Sequence, residues 1–228
     1  MNLQAIIFDF DGVIANSEPL HLRAFQQALG DHGIFLSREE YFTRYLGYDD
    51  VGAFQAISKD RQLGFNQPQV TELVTLKGVK LQEMMQAGDV LFDGAADFIR
   101  KAASAVPIAV ASGALRHEID EILEAADLAS LFQTIVSSGD TPESKPSPAP
   151  YRLAFERLNK AAGGALQPAR CVAIEDSRWG LESARGAGLR CVGVTNSYPA
   201  DELGEAELVA EGLRALTLEM LDALVGDH

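Results

Sequence analysis

The chain has 228 residues, 47% of them hydrophobic, with 33 acidic against 19 basic side chains and a formal net charge of −14. A surface that acidic repels nucleic acid and anionic lipid, so neither is expected as a partner, and an anionic substrate needs local cations to bind. No run approaches ~18 apolar residues, and MNLQAIIFDF lacks the basic region and long apolar stretch of a signal peptide, so a cytoplasmic location and no membrane partner are expected. The two cysteines, Cys171 and Cys191, form no CxxC or Cys/His metal spacing and read as packed, reduced thiols.

In chain order, LQAIIF ahead of Asp9 is the first strand. Four amphipathic stretches follow within residues 16–88: EPLHLRAFQQALGDHG, SREEYFTRYL, VGAFQAISKDRQLG and PQVTELVTLKGVKLQEMMQ. Strand candidates then resume with VPIAVAS at 106–112, TIVSS at 134–138, CVAIED at 171–176 and CVGVT at 191–195. Helical spacing appears between them in DEILEAADLASLF, PAPYRLAFERLN and SRWGLESARGAG. Near-continuous apolar runs suit parallel strands covered on both faces. The pattern predicts an α/β fold with a doubly wound parallel-sheet core, residues 1–15 and 89–228, interrupted by a helical domain at 16–88. The helical insert is expected over the carboxyl ends of the strands, where open α/β folds bind their ligands.

Four short motifs end predicted strands. In Asp9-Phe10-Asp11-Gly12-Val13, residues i and i+2 of an extended chain point the same way, so Asp9 and Asp11 can address one substrate, and Gly12 permits a tight turn. Ser112-Gly113 can offer hydroxyl and N–H donors to a phosphate. Lys145-Pro146-Ser147-Pro148 brings a compact cation suited to phosphate. Glu175-Asp176-Ser177 can supply oxygen ligands for Mg²⁺, with Asp176 or Ser177 also able to cap the next helix. Singly, each motif reads equally well as a turn, a surface lysine or a helix cap.

Together and in this order, DxDGV, the hydroxyl residue after the second strand, KPSP and the terminal ED pair resemble the haloacid dehalogenase superfamily, and the insert resembles that family's C1 cap. The pattern is most similar to the branch that holds β-phosphoglucomutases and small-metabolite phosphatases. The resemblance implies a Rossmann-like core and a Mg²⁺-dependent phosphatase acting on a small phosphorylated metabolite, a sugar phosphate above all. It implies Asp9 as covalent nucleophile, Asp11 as general acid and base, and Ser112, Gly113, Gly12 and Lys145 as phosphate-holding groups. Metal ligands are expected from Asp9, Glu175 and Asp176, with a backbone carbonyl that the resemblance assigns to Asp11. In the cap it points to His21 and Gly47 as substrate-binding positions, with Lys77 a further candidate. Asn16, Ser17 and Gly88 sit near the two cap junctions and are candidate hinges, since such places absorb backbone rotation during closure.

The alternative is a β-phosphoglucomutase-like sugar phosphate mutase. Those enzymes grip a second phosphate with an arginine in a cap GxxR motif, where this chain reads Gly47-Tyr48-Asp49-Asp50. An acidic pair there is expected to repel a distal phosphate and favour hydrolysis. The mutases also carry a lysine after the second strand, where this chain has Ala114-Leu115, with Arg116 a partial substitute. The sequence leaves oligomeric state open.

Overall fold

The structure is a computed structural model that describes residues 2–46, 48–87 and 90–226. The chain divides into two compact units, one drawn from Met1–Asn16 and Val90–His228 and the other from Ser17–Asp89.

The helical unit contains α1 (Glu18–Gly30), α2 (Arg38–Glu40) running into a π turn at Tyr41–Tyr45, α3 (Asp50–Asp60) and α4 (Gln67–Ala87). Apolar residues recurring every three or four positions bring Leu22, Phe25 and Leu29 of α1 together with Phe54 and Ile57 of α3 and Val70 and Leu73 of α4. Helix starts are fixed by side-chain caps. Ser37 accepts from Glu40 N, and Asp49 accepts from Gly52 N at 2.7 Å, satisfying donors that the first turn leaves unpaired.

The core unit is a six-stranded sheet of β1 (Ala5–Phe8), β2 (Ile108–Ala111), β3 (Thr134–Val136), β4 (Cys171–Glu175), β5 (Arg190–Val194) and β6 (Leu208–Ala210). The order is β3-β2-β1-β4-β5-β6 and every pairing is parallel. Its helices are α5 (Ala95–Ala105), α6 (Arg116–Ala125), α7 (Ala149–Ala161), α8 (Arg178–Gly186) and α9 (Leu218–Gly226). Alternation along β1 explains how both faces are covered. Ala5 and Ile7 join Tyr151, Ala154 and Leu158 of α7 and Leu181 and Ala184 of α8. Phe8 points the other way, edge-on to Phe98 of α5 and to Phe132, both with ring centroids 6.1 Å apart. This is the doubly wound α/β arrangement. Three elements, β6, α5 and α9, are additional to those read from the sequence. β6 is only three residues long, LVA, and none of them is fully buried.

Parallel pairing puts the carboxyl ends of all six strands on one edge of the sheet. In register, Phe8 lies beside Val110 and Ile174, so Asp9, the residues after β2, and Glu175-Asp176 emerge together.

Candidate active site

Asp9, one residue beyond β1, is buried, and its backbone N–H donates to Ile174 O at 2.9 Å, which ties the β1 end to β4. The chain turns at once. Gly12 has φ of +76°, and a Cβ there would stand 1.8 Å from Asp176 Oδ2, so only glycine fits both the conformation and the space. At the end of β4, Glu175 and Asp176 are also buried. Glu175 presses against α8 so closely that a Cβ on Gly180 would lie 1.9 Å from its carboxyl. Ser177 caps α8 by accepting from Gly180 N at 3.1 Å.

The carboxylates of Asp9, Glu175 and Asp176 offer oxygens that all lie within 4.8 Å of one another. Lys145, from the loop that follows β3, reaches into this group, with Nζ 2.8 Å from Asp9 Oδ1 and 2.6 Å from Glu175 Oε1. Burial alone would lower the lysine's pKa, but the Asp9 and Glu175 charges outweigh it and hold it above its ordinary value. Burial first, and then repulsion by Glu175, push Asp9 well above the usual carboxylate range. The same two causes raise Asp176 to about 6, against opposing hydrogen bonding from Ser197 and attraction by Lys145. Three buried carboxylates facing one ammonium leave an excess of negative charge and several hard oxygen donors. That is the donor chemistry of a Mg²⁺-type cation rather than of Zn²⁺, and it fits the cofactor expected from the sequence.

Of the remaining sequence candidates in the core, Ser112 follows β2, buried, with its Oγ accepting from Ala114 N at 3.0 Å. Gly113 is exposed, with open space where a Cβ would sit. Asp11 is half-buried, and its carboxylate is not part of the three-carboxylate group. Arg116, half-exposed on α6, bonds both oxygens of Asp120 at 2.9 and 2.8 Å.

The helical unit brings His21 and Lys77 together. Lys77 Nζ lies 3.0 Å from His21 Nδ1 and 2.8 and 2.9 Å from the two Asp50 oxygens, and it stands 5.1 Å above the Phe25 ring. Burial, and then the Lys77 ammonium, push His21 down to about 4, so it is neutral at physiological pH. This corrects the expectation of an uncompensated acidic pair at Asp49-Asp50. Asp49 is spent on capping α3 and Asp50 is neutralised by Lys77. Lys77 therefore compensates one charge of the pair, and Asp49 keeps its own while capping the helix. Gly47 and Gly88 lie outside the described residues.

Two sets of contacts were missed by the sequence reading. Tyr151 of α7 donates its hydroxyl to Glu175 Oε1 at 2.9 Å, and its ring lies 5.0 Å beneath the Lys145 ammonium. A tyrosine on the otherwise apolar face of PAPYRLAFERLN is the signal that could have found it, since a buried hydroxyl needs a partner. The loop after β5 supplies Asn196, whose Nδ2 donates to Gly12 O at 2.7 Å, and Ser197, whose hydroxyl bonds Asp176 Oδ2.

A parallel sheet that gathers carboxylates and a lysine at its strand ends, with the charge balance of a divalent-cation site, defines an α/β enzyme equipped for an anionic substrate. The comparisons narrow that class. The sequence profile of the haloacid dehalogenase-like hydrolases matches residues 3–188. CbbY of Rhodobacter capsulatus is 31% identical over 235 residues, covering 98% of this chain and 100% of CbbY. A phosphorylated carbohydrates phosphatase of Thermotoga maritima is 27% identical, covering 86% of this chain and 87% of its own. Crystal structures of CbbY from Rhodobacter sphaeroides superpose with a TM-score of 0.77 and cover 96% of this chain and 99% of CbbY. One is in complex with phosphate (31% identity) and one is a mutant in complex with xylulose-(1,5)bisphosphate (30% identity). The chain belongs to the haloacid dehalogenase-like hydrolase family, in its CbbY-like branch, and is a phosphatase. Among the described residues, no helix is long and apolar enough to cross a membrane.

Proposed function

We propose that this enzyme hydrolyses the phosphate monoester of a small sugar phosphate or sugar bisphosphate, with Asp9 as nucleophile. The observation that carries the reading is the buried group of Asp9, Lys145, Glu175 and Asp176 at the strand ends. The CbbY and carbohydrate-phosphatase relatives support the substrate class.

An Asp9 carboxylate oxygen attacks phosphorus, and the bond from phosphorus to the ester oxygen breaks. Asp11 gives its proton to the departing alkoxide. A water molecule then attacks the aspartyl-phosphate, Asp11 takes its proton, and the Asp9 carboxylate and inorganic phosphate are regenerated. Asp9 must be ionised to attack, although burial and its acidic neighbours oppose that, so local cations are essential. Lys145 is one. Asp9, Asp176 and the Asp11 carbonyl would hold Mg²⁺, which neutralises charge on the transferring oxygens. Glu175 already accepts from Lys145 and Tyr151 on one oxygen and from Ser177 and the Asp176 N–H on the other. Those bonds fill its acceptor positions, so its contribution is negative charge beside the ion rather than a direct bond to it. The Ser112 hydroxyl and Gly113 N–H hold the remaining phosphate oxygens.

The test is phosphate release across a panel of sugar phosphates that includes xylulose 1,5-bisphosphate and β-glucose 1-phosphate, with Mg²⁺ and with chelator. Release is expected only with Mg²⁺, and Asp9→Asn is expected to lower it by more than about 10³-fold. Full turnover under chelation would overturn the metal reading. Conversion of β-glucose 1-phosphate to glucose 6-phosphate with negligible free phosphate would replace the hydrolase by a mutase.

A further inference from the structure

Beyond the four motif-bearing loops, the loop after β5, residues 195–198, reaches the same carboxylates. Ser197 Oγ donates to Asp176 Oδ2, and Asn196 Nδ2 donates to Gly12 O at 2.7 Å. The three loops are in tight contact: a Cβ at Gly12 would fall 1.8 Å from Asp176 Oδ2 and 2.9 Å from Ser197 Oγ. The loop is anchored on its other side. The Tyr198 ring packs edge-on to Trp179, with centroids 6.1 Å apart at 76°, and the Arg178 guanidinium lies 4.4 Å over the Trp179 ring. Arg178 and Trp179 open α8, the helix that follows directly from Asp176 and its capping Ser177.

We propose that Ser197 is a positioning residue for the cation site. It fixes one oxygen of Asp176 and leaves the other for the metal, while Asn196 holds the Gly12 turn against the same carboxylate. An aspartate side chain is free to turn about the bond to its carboxyl group. Bonding one oxygen to a hydroxyl held by a separate loop removes that freedom before the ion arrives. Hydrogen bonds behind a metal ligand act in this way generally, and their loss typically weakens metal binding by roughly 10–100-fold. The four motif loops supply the reacting and ligating groups, and this fifth loop sets the orientation of one of them.

The inference rests on the metal reading, and the experiment separates the two. Mn²⁺ binding to the full-length protein is measured from the free-ion electron paramagnetic resonance signal, without substrate or turnover. Ser197→Ala is expected to raise the Mn²⁺ dissociation constant roughly 10-fold, with kcat recovering at saturating Mg²⁺. Ser197→Thr keeps the hydroxyl and is expected to restore wild-type affinity. Ser197 is exposed, so neither change disturbs the apolar core. An unchanged dissociation constant in Ser197→Ala, or a threonine variant as weak as the alanine one, would overturn the positioning role. Failure of the wild-type protein to bind Mn²⁺ would overturn the metal reading and this inference with it.

Discussion

Each unit of the molecule withdraws one lysine from water, and the two settings differ in charge balance. In the helical unit Lys77 has a side chain only 2% exposed, and it meets one carboxylate, Asp50, and a neutral imidazole, His21. Those contacts use its three N–H donors and cancel its charge. In the core unit Lys145 has a side chain 14% exposed and meets Asp9 and Glu175, with Asp176 close by. There the negative charge exceeds the positive, and burial together with Glu175 raises the pKa of both Asp9 and Asp176. The first cluster is complete in the protein alone. The second carries an excess of negative charge, the kind of imbalance that a functional site maintains at a cost in stability.

The sharpest way to break the comparison is to remove each ammonium. Lys145→Ala should lower kcat/KM by about 10²–10³-fold, as for loss of one donor to a transferring group. Steady-state phosphate release with Mg²⁺ present measures it. An active Lys145→Ala enzyme would place the charge that balances Asp9 elsewhere. Lys77→Met should act mainly on folding, because Asp50 loses its partner. The expected loss is about 2 kcal/mol, below the ~3–5 kcal/mol typical when neither partner reaches water, since the Asp50 side chain is 36% exposed. Denaturant unfolding of the two proteins gives the difference. A KM raised tenfold with unchanged stability would instead make Lys77 a ligand-contacting residue.

The contrast also marks what could be read in the sequence. The core strands were legible because each is an apolar run ended by a chemically distinctive residue, as in AIIF before Asp9 or CVAI before Glu175. The site's charged members were legible for the same reason. Hydroxyl and amide groups that orient them were not, because Tyr151, Asn196 and Ser197 look like ordinary helix and loop residues until distant strands converge. Asn196 meets Gly12 across 184 positions and Ser197 meets Asp176 across 21. The Asp49-Asp50 pair shows the opposite failure. In the sequence the two adjacent acids read as a repulsive surface, although Asp49, just ahead of DVGAFQAI, is an ordinary helix cap. Recognising the partner of Asp50 required knowing that α4 brings Lys77 back, 27 residues later.

The smallest expected effect distinguishes the clusters by their response to acid. His21 is held at about 4 by burial and by the neighbouring Lys77, against the attraction of Asp50. In the unfolded chain it returns to about 6.5. Its folded pKa is thus the lower one, so the unfolded chain binds the extra proton. The stability it contributes is present above pH 6.5 and is lost as pH falls toward 4. Asp176 in metal-free protein has the opposite sign. Its folded pKa, about 6, lies above the ordinary aspartate value of 3.8, so its contribution is present at low pH and is lost as pH rises through 6. The two trends overlap and partly cancel in the wild-type protein. They separate by difference. His21→Asn keeps an acceptor for Lys77 but cannot titrate, and the Asp176 contribution is common to both proteins. Between pH 7 and pH 5.5 the wild-type protein should lose about 1 kcal/mol relative to His21→Asn. Parallel denaturant titrations at the two pH values, both without metal, provide the measurement. Identical pH dependence in the two proteins would mean that His21 is not buried against a charged Lys77. The helical cluster would then titrate like surface groups, and its contrast with the core cluster would be lost.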